Sequence, residues 1–311
     1  MEIIRYVPGK TCAPTETVLA LGFFDGVHLG HRALLALAIE KAKALGLPLG
    51  VFTFPAEDAR MKKSALRLYN TPKKLSLLAS LGVDFVFMCE LSSVADITAE
   101  DFAKKCLASE LRAALTVCGF NFRFGHGAEG DAEALSRYMR EIGRESVTLP
   151  PMYHEGELLS SSAVRAHLLN GEVTLAARML GEPYTLAGTV EGGDGRGKTL
   201  GFPTVNIPLE ENRLILPSGV YATVTKTEDG EFPSVTNVGT CPTFGERRIH
   251  AETHLCDFSG DLYGRSIEIK FLARLRDEKA FSSKEMLIKQ INVDKNEAME
   301  VYKTWQEAGQ S

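Results

Sequence analysis

The order of apolar and polar positions divides the chain into two halves with different patterns. In the first half, short apolar runs such as residues 18–23 and 49–54 alternate with helical patterns such as residues 31–45. Apolar runs of this length, separated by helices, are typical of buried parallel strands joined by crossover helices. This half is therefore predicted to form a doubly wound α/β sheet of the Rossmann-like kind.

The other elements of the first half continue this alternation. Further strands are predicted at residues 83–88, 115–118 and 146–149. Further helices are predicted at residues 71–81, 98–111, 131–142, 162–169 and 172–180. Two of these helices carry start signals: Thr71 is expected to be an N-cap before Pro72, and Thr98 with Asp101 resembles a capping box.

The pattern changes near residue 183. From there short strands lie between Gly and Pro turns, at residues 184–191, 204–207, 219–226, 234–238, 251–257 and 266–271. Strands of this kind are typical of an antiparallel barrel, and a long terminal helix is predicted at residues 283–305. The fold class is therefore α/β plus all-β. The 311 residues are expected to form two domains, residues 1–182 and 183–311.

Composition excludes several classes of function. The formal net charge of −5 argues against a general nucleic-acid binder, and no apolar run approaches the length that spans a bilayer. The first ten residues lack the apolar segment of a secretion signal. The six cysteines form no Cys-x-x-Cys pair, so reduced thiols in a cytoplasmic protein are expected rather than a zinc site or disulfides.

The first candidate site lies where the strand at residues 18–23 gives way to a helix. His28 and His31 are three residues apart, so both side chains lie on one side of the first helical turn. Gly22, Gly26 and Gly30 allow the backbone to approach a ligand closely. A helix N-terminus with free N–H groups and two imidazoles is suited to bind nucleotide phosphates.

These residues resemble a known nucleotidyltransferase signature. The segment from Gly22 to His31 is similar to the Gly-x-Phe-Asp-Gly-Val-His-x-Gly-His motif in the adenylyltransferase module of bifunctional riboflavin kinase/FAD synthetases. Residues 119–125 resemble the Asn-Phe-Arg-Phe-Gly loop of that module, and residues 159–165 resemble its Ser-Ser-Thr-x-Ile-Arg segment. The resemblance implies an ATP site formed by Gly22, Phe24, Asp25, His28, His31, Asn121, Ser161, Ser162 and Arg165.

The last segment also fits a phosphate site on its own chemistry. Ser161 or Ser162 can cap a helix, and Arg165 follows one turn later. The planar guanidinium of an arginine can bind two phosphate oxygens at once. In one place the chain departs from the family: after residues 51–54 the family usually has Pro-His-Pro, whereas residues 55–58 read Pro-Ala-Glu-Asp.

The second candidate site begins with a misleading motif. Residues 192–199 satisfy the P-loop pattern G-x-x-x-x-G-K-T. A P-loop must open a helix, but Gly201 and Pro203 follow almost at once, which makes a helix improbable. The surrounding pattern is antiparallel β rather than βαβ, so the P-loop interpretation is rejected.

The same segment resembles the riboflavin kinase signature Gly-x-Gly-Arg-x-Leu-Gly-Phe-Pro-Thr-Ala-Asn. The resemblance implies that Thr204 and Asn206, which share one face of a strand, hold Mg²⁺ and ATP phosphates, and that Glu252 is the general base. Further family motifs begin at Gly219, Asn237 and Asp261. The other residues that it implies around ATP or the flavin are Gly195, Arg196, Lys198, Gly201, Pro203, Arg276 and Phe281.

The resemblance spans residues 15–305 and implies two reactions. Riboflavin and ATP give FMN, and FMN and ATP then give FAD and pyrophosphate, with Mg²⁺ as the metal. The expected partners are small molecules, without nucleic acid or membrane, and the oligomeric state is open. Two alternatives remain: a riboflavin kinase whose adenylyltransferase is weak or altered, because of the missing histidine, and a flavin-binding regulator without turnover.

Overall fold

The computed structural model describes residues 1–58, 66–192, 197, 201–208, 213–243 and 246–309, which form two compact units, Met1–Ser161 and Ser162–Ser311. The strands of the first unit are β1 (Glu2–Tyr6), β2 (Thr17–Leu21), β3 (Leu49–Thr53), β4 (Phe85–Cys89), β5 (Ala113–Gly119), β6 (Arg123–Phe124), β7 (Gly130–Asp131), β8 (Glu145–Leu149), β9 (Tyr153–His154) and β10 (Glu157–Leu158). Six of them form a parallel sheet in the order β1-β4-β3-β2-β5-β8. The predicted doubly wound sheet is confirmed.

The helices of the first unit are α1 (Leu29–Leu45), α2 (Thr71–Ser80), α3 (Leu91–Val94), α4 (Ala99–Asp101) and α5 (Ala132–Glu141). Helix α4 continues as a π-helix over Phe102–Glu110. Thr98 caps α4 as predicted, because its side chain accepts a hydrogen bond from the N–H of Asp101 at 3.2 Å.

The predicted N-cap of α2 is wrong by one residue. Asn70 caps the helix, and its Oδ1 accepts from the N–H of Lys73 at 3.1 Å. Thr71 is the first helical residue, and its hydroxyl oxygen accepts instead from the N–H of Ala56 at 2.8 Å. Both residue types can cap a helix, and the tertiary contact with Ala56 decides between them.

The order of the strands fixes where a ligand site can lie. From β2 the chain moves outward through β3 to β4, and then returns to the other side of β2 to form β5 and β8. The connections after β2 and β5 therefore diverge at a topological switch point. Open α/β sheets bind ligands in this crevice, at the carboxyl ends of the strands.

The second unit is built on a six-stranded antiparallel sheet. Its strands are β11 (Tyr184–Thr189), β12 (Val205–Pro208), β13 (Gly219–Thr227), β14 (Gly230–Thr243), β15 (Glu246–Leu255) and β16 (Ser266–Arg276), in the order β11-β16-β13-β14-β15-β12. A bridge between Glu191 and Asn206 joins the two edges and nearly closes the barrel. Gly188 permits this approach, since a Cβ there would lie 2.4 Å from Cγ2 of Ile207. The predicted barrel is confirmed.

Alternation along β15 separates the interior of the barrel from the site. Thr253 points inward and is fully buried, and its hydroxyl lies 2.9 Å from that of Thr236 in a group of buried hydroxyls. Its neighbours Glu252 and His254 therefore point to the opposite face. Both are only partly buried.

Three helices whose bounds fall within the described residues belong to or extend into the second unit: α6 (Ser161–Leu169), α7 (Val173–Leu180) and the terminal helix α8 (Lys284–Gly309). The hydroxyl of Thr174 in α7 donates to the carbonyl of Leu272 in β16 at 3.2 Å. The units thus divide at residue 161, whereas the sequence boundary at 182 marks the change from helices to strands. None of the helices in the described part of the chain is long and apolar enough to cross a membrane.

Two candidate active sites

The loop between β2 and α1 has an unusual backbone. Phe24 has φ 54° and Val27 has φ 43°, in the left-handed region that non-glycine residues rarely adopt, and Gly26 between them has φ 84°. Such conformations persist only where the surrounding structure holds them, and they occur often at functional sites. The loop lies at the switch point, immediately after β2.

Hydrogen bonds to three other segments hold this loop. Thr53 at the end of β3 donates its hydroxyl to the carbonyl of Phe23 at 3.1 Å. The carboxylate of Asp25 accepts from the N–H of Leu68 at 3.1 Å. Ser161 donates its hydroxyl to the carbonyl of Asp25 at 2.8 Å. The predicted site residues Asp25 and Ser161 are therefore brought together in the structure.

His28 and His31 form the start of α1 as a stacked pair. Their ring centroids are 3.7 Å apart with an angle of 22° between the planes, and Nδ1 of His28 accepts from the N–H of His31 at 3.4 Å. Burial, together with the charges of His28 and Lys74, holds the pKa of His31 well below its ordinary value. His31 is therefore a neutral imidazole near pH 7, able to donate or accept a hydrogen bond but without a fixed charge.

The ring of Phe24 lies beside this pair, and Gly22 leaves room for that ring. The ring of Phe24 is fully buried, and its centroid lies 5.2 Å from that of His31. A Cβ at Gly22 would come within 3.0 Å of the Phe24 ring. Any contact between Phe24 and ATP would thus be made by its backbone.

Asn121 follows β5 at the other side of the switch point. It is exposed, and a Cβ on Gly119 would lie 3.4 Å from its Oδ1 and 4.0 Å from Leu34 of α1. Asn121 therefore lies at the edge of the sheet where the loop after β2 also begins. Ser162 and Arg165 fall in the second unit, where Nη2 of Arg165 donates to Oγ of Ser162 at 3.5 Å. Their part in the first site stays a prediction.

The segment that replaces Pro-His-Pro is built into the fold. Ala56 is only 3% exposed. The carboxylate of Glu57 accepts from the backbone and hydroxyl of Thr71, and that of Asp58 accepts from the N–H of Leu91 at 2.6 Å. Burial alone would raise the pKa of Glu57, but the hydrogen bonds from Thr71 outweigh burial and lower it. Both acidic side chains of this segment therefore anchor neighbouring helices.

The second site is a row of residues across the barrel. Strand pairing places Asn206 opposite Glu252, Glu252 opposite Asn237, Asn237 opposite Val220, and Val220 opposite Arg276. Directly opposed residues on neighbouring strands point to the same face. The row thus joins three residues predicted from sequence, Asn206, Glu252 and Arg276, over five strands.

Most of this row lines a pocket of about 660 Å³. Glu252, Asn237 and Arg276 line it, as do Thr204 and Phe281. The hydroxyl of Thr204 donates to Oε1 of Glu252 at 2.7 Å. The predicted base and one predicted metal ligand are therefore in direct contact, at a cavity large enough for a small organic substrate.

The terminal helix completes the pocket. Asp294 of α8 binds the guanidinium of Arg276, with Oδ2 2.7 Å from Nη2 and Oδ1 3.0 Å from Nε. The guanidinium carbon lies 5.9 Å from the centroid of the Phe281 ring. Neither Asp294 nor His254, which also lines the pocket, was predicted from the sequence. Burial lowers the pKa of His254, although a hydrogen bond to the carbonyl of Pro203 favours its protonated form.

Several predicted residues of this site cannot be placed. Gly195, Arg196 and Lys198 lie outside the described residues. Gly201 has φ 86° in a turn, residues 202–204 have no regular secondary structure, and β12 begins at Val205. A P-loop would continue as a helix here, so the described residues agree with its rejection.

Thr204 and Asn206, which lie beside and opposite Glu252, carry side-chain oxygen atoms. Mg²⁺ prefers oxygen ligands and usually keeps phosphate oxygens among them. Within the described residues, no cluster of three or more His, Cys, Asp or Glu side chains could hold a metal alone. The hydroxyl of Thr204 and the amide of Asn206 thus suit Mg²⁺ when a nucleotide supplies the remaining ligands.

Comparisons with known proteins identify a family for each half of the chain. Residues 10–163 match the family model for FAD synthetase, and residues 180–302 match that for riboflavin kinase. A bifunctional riboflavin kinase/FMN adenylyltransferase of Escherichia coli K12 is 38% identical over 97% of this chain and 98% of its own. Its counterpart in Bacillus subtilis 168 is 32% identical over 92% and 93%. The chain belongs to the bifunctional riboflavin kinase/FMN adenylyltransferase family.

A solved structure extends the likeness to the whole fold. A protein of Streptococcus pneumoniae, described as a macrolide-efflux protein, superposes with a TM-score of 0.85. The two are 29% identical, and the match covers 94% of this chain and 97% of that one.

Proposed function

We propose that the chain makes FMN from riboflavin and ATP in its second unit, and FAD from FMN and ATP in its first. The observation that carries the proposal is the contact of Thr204 with Glu252 at the pocket, with Asn206 opposite Glu252 on the neighbouring strand. A carboxylate beside a hydroxyl and an amide is the donor set that a hydroxyl-phosphorylating enzyme needs. Simple flavin binding would not need a base at this position.

In the kinase reaction Glu252 acts as the general base. It takes the proton from the 5′-hydroxyl of riboflavin as that oxygen attacks the γ-phosphorus of ATP. The bond from the γ-phosphorus to the bridging oxygen breaks, and ADP leaves. When bound, Mg²⁺ neutralises charge on the phosphates, and Thr204 and Asn206 are the residues that would hold it. The Thr204 oxygen keeps lone pairs for this role while its proton is donated to Glu252.

In the adenylyltransferase reaction the phosphate of FMN attacks the α-phosphorus of ATP, and pyrophosphate leaves. No covalent intermediate with the protein is needed, so catalysis rests on alignment and on donors to the phosphate oxygens. The N–H groups at the start of α1 and the imidazoles of His28 and His31 supply such donors. Asn121, Ser162 and Arg165 are proposed to complete this site, as the family resemblance implies.

The distribution of the two activities is also a proposal. Adenylyltransferase activity is assigned to residues 1–182 and kinase activity to residues 183–311, in a protein of the cytoplasm. The missing histidine motivates the alternative of a weak adenylyltransferase, and the acidic residues of this segment, Glu57 and Asp58, instead bind neighbouring helices. The weak-adenylyltransferase alternative is therefore decided by measurement.

The experiment is incubation with riboflavin and Mg-ATP, followed by chromatography of the flavins. FMN and then FAD are expected. FMN alone, with added FMN also left unconverted, would support the kinase alternative. Bound but unchanged riboflavin would support a regulator and contradict the proposal.

A further inference from the structure

Lys74 is a buried cation close to the first site. It lies in α2 and is only 2% exposed. Lysine is almost never fully buried unless its charge is compensated. Moving an unpaired ammonium from water into the protein interior costs roughly several kcal/mol. The buried charge of Lys74 is therefore expected to be stabilised by neighbouring acceptors.

The ammonium of Lys74 faces three oxygen atoms. Nζ donates to the carbonyl of Phe54, and lies 3.4 Å from both the carbonyl of Phe23 and Oγ1 of Thr53. The hydroxyl proton of Thr53 is itself donated to the carbonyl of Phe23. The Thr53 oxygen is then available as an acceptor. Three acceptors match the three N–H bonds of an ammonium, whereas a neutral amine has only two.

These oxygens lie at the ends of two adjacent parallel strands. Thr53 is the last residue of β3 and Phe54 follows it, while Phe23 lies two residues after β2. Phe23 also immediately precedes the residues with left-handed backbone that lead to His28. Lys74 thus ties the start of the strained loop to the end of β3. The ring of Phe23 adds to this contact, since Nζ lies 5.3 Å from its centroid.

We propose that Lys74 is a positioning residue for adenylyl transfer: its buried ammonium fixes the loop after β2, and with it Asp25, His28 and His31. This inference rests on the proposed adenylyltransferase function of the first unit. Lys74 acts through the backbone of Phe23 and Phe54, and it takes no part in bond making or breaking.

The charges around Lys74 define the pH range in which the ammonium exists. Burial lowers its pKa most, Asp25 and Glu57 raise it, and Arg67 lowers it, which brings it to about 8. The charge of Lys74 in turn lowers the pKa of His31. Below pH 8 the ammonium prevails and all three acceptors are satisfied. Above pH 8 the amine loses one donor, and the loop loses one of its ties.

The test compares both activities of one chain over pH 6.5–9. FAD formation from supplied FMN is expected to fall above about pH 8 in the unmodified protein, while FMN formation from riboflavin does not fall with it. Lys74→Met is expected to lower FAD formation roughly 10- to 100-fold at pH 7 and to abolish the fall above pH 8. Lys73→Met, which removes the neighbouring lysine of the same helix, is the matched control and should behave as the unmodified protein.

Two further measurements keep the test decisive. If Lys74→Met does not fold, as judged by its kinase activity and thermal unfolding, Thr53→Val removes one acceptor and the bridge to Phe23, and should lower FAD formation severalfold. A pH profile of FAD formation in the unmodified protein that is parallel to that of FMN formation would overturn the proposal. So would full FAD formation by folded Lys74→Met. If the unmodified protein makes no FAD at any pH, the proposed function itself fails, which is a different result.

Discussion

Asp294, which lies in α8 and 18 residues further along the chain, holds Arg276 with both carboxylate oxygens. Asp294 is only 2% exposed, and it also accepts from the side chain of Gln290 at 2.8 Å. The pair fixes the terminal helix against β16 and fixes the guanidinium beside Phe281. The position of Arg276 at the pocket therefore depends on a residue that lies outside every motif in the sequence.

Asp294→Asn should weaken riboflavin binding and stability together. Asparagine keeps one acceptor but leaves the charge of Arg276 without its buried partner, which typically costs about 3 kcal/mol when such a pair is broken. We expect the KM for riboflavin to rise about tenfold or more. We also expect the second unit to unfold at a lower temperature. Glu300→Gln, at an exposed acid of the same helix, is the control. An unchanged KM in a folded variant would contradict the proposal that Arg276 borders the flavin.

Glu252→Gln should abolish FMN formation while FAD formation from supplied FMN persists. Glutamine retains an oxygen that can accept from Thr204, so the local structure should survive, but it cannot take a proton from riboflavin. Both activities are measured by chromatography on the same preparation. Glu228→Gln, at an exposed turn, is the control. A parallel loss of both activities in a folded protein would show that the two sites are not separate.

The converse change is the double variant His28→Ala and His31→Ala. We expect FAD formation to fall at least about 100-fold, equivalent to about 2.7 kcal/mol of transition-state stabilisation, while FMN formation persists. The stacked imidazoles lie at the start of α1, where ATP phosphates are proposed to bind. His126→Ala, at a more exposed histidine, should have no effect. Normal FAD formation by the double variant would exclude both imidazoles from the site.

Much of the fold could be predicted from local patterns, and the errors have physical causes. Buried strands such as β2 and β3 are continuous apolar runs, so their alternation with helices was visible. Strand β1 was missed because it is an edge strand with mostly exposed residues, which reduces the apolar signal. The N-cap of α2 was misplaced because a contact with Ala56, distant in sequence, occupies the hydroxyl of Thr71.

The candidate sites likewise contain some residues that could be predicted from the sequence and some that could not. His28 was predicted from a local motif, and Thr204 and Glu252 were predicted from the family resemblance of the segments that contain them. The contacts of Lys74 and Asp294 could not be predicted, because both are defined by tertiary packing. A lysine in a helix is ordinarily solvated, and only the position of α2 against the ends of β2 and β3 makes this one buried.

The lowered pKa of His31 predicts that acid destabilises the first unit. In the folded protein His31 stays neutral below its ordinary value of 6.5, whereas in the unfolded chain it gains a proton there. The unfolded state then binds more protons, so the stability contributed by His31 is present above pH 6.5 and is lost as the pH falls below it. Denaturant unfolding measured at pH 7.5 and at pH 5.5 gives the free energy of unfolding at each pH. This free energy should fall less between the two pH values for His31→Gln than for the unmodified protein. Equal losses would contradict the lowered pKa of His31.

The last prediction compares Lys198 with Thr204. In a P-loop, Lys198 would reach the β- and γ-phosphates, and Lys198→Ala would destroy phosphoryl transfer. In the barrel, Thr204 contacts Glu252 at the pocket, and β12 follows directly. We therefore expect Lys198→Ala to lower FMN formation about tenfold or less, equivalent to about 1.4 kcal/mol, since its charge would only assist the approach of ATP. Thr204→Ala should cost far more, because it removes both an oxygen for Mg²⁺ and the hydrogen bond to Glu252. Steady-state FMN formation by the two variants, with Thr204→Ser as the control that keeps the hydroxyl, decides between these outcomes. A larger loss in Lys198→Ala than in Thr204→Ala would contradict the assignment of Thr204 to the phosphate site.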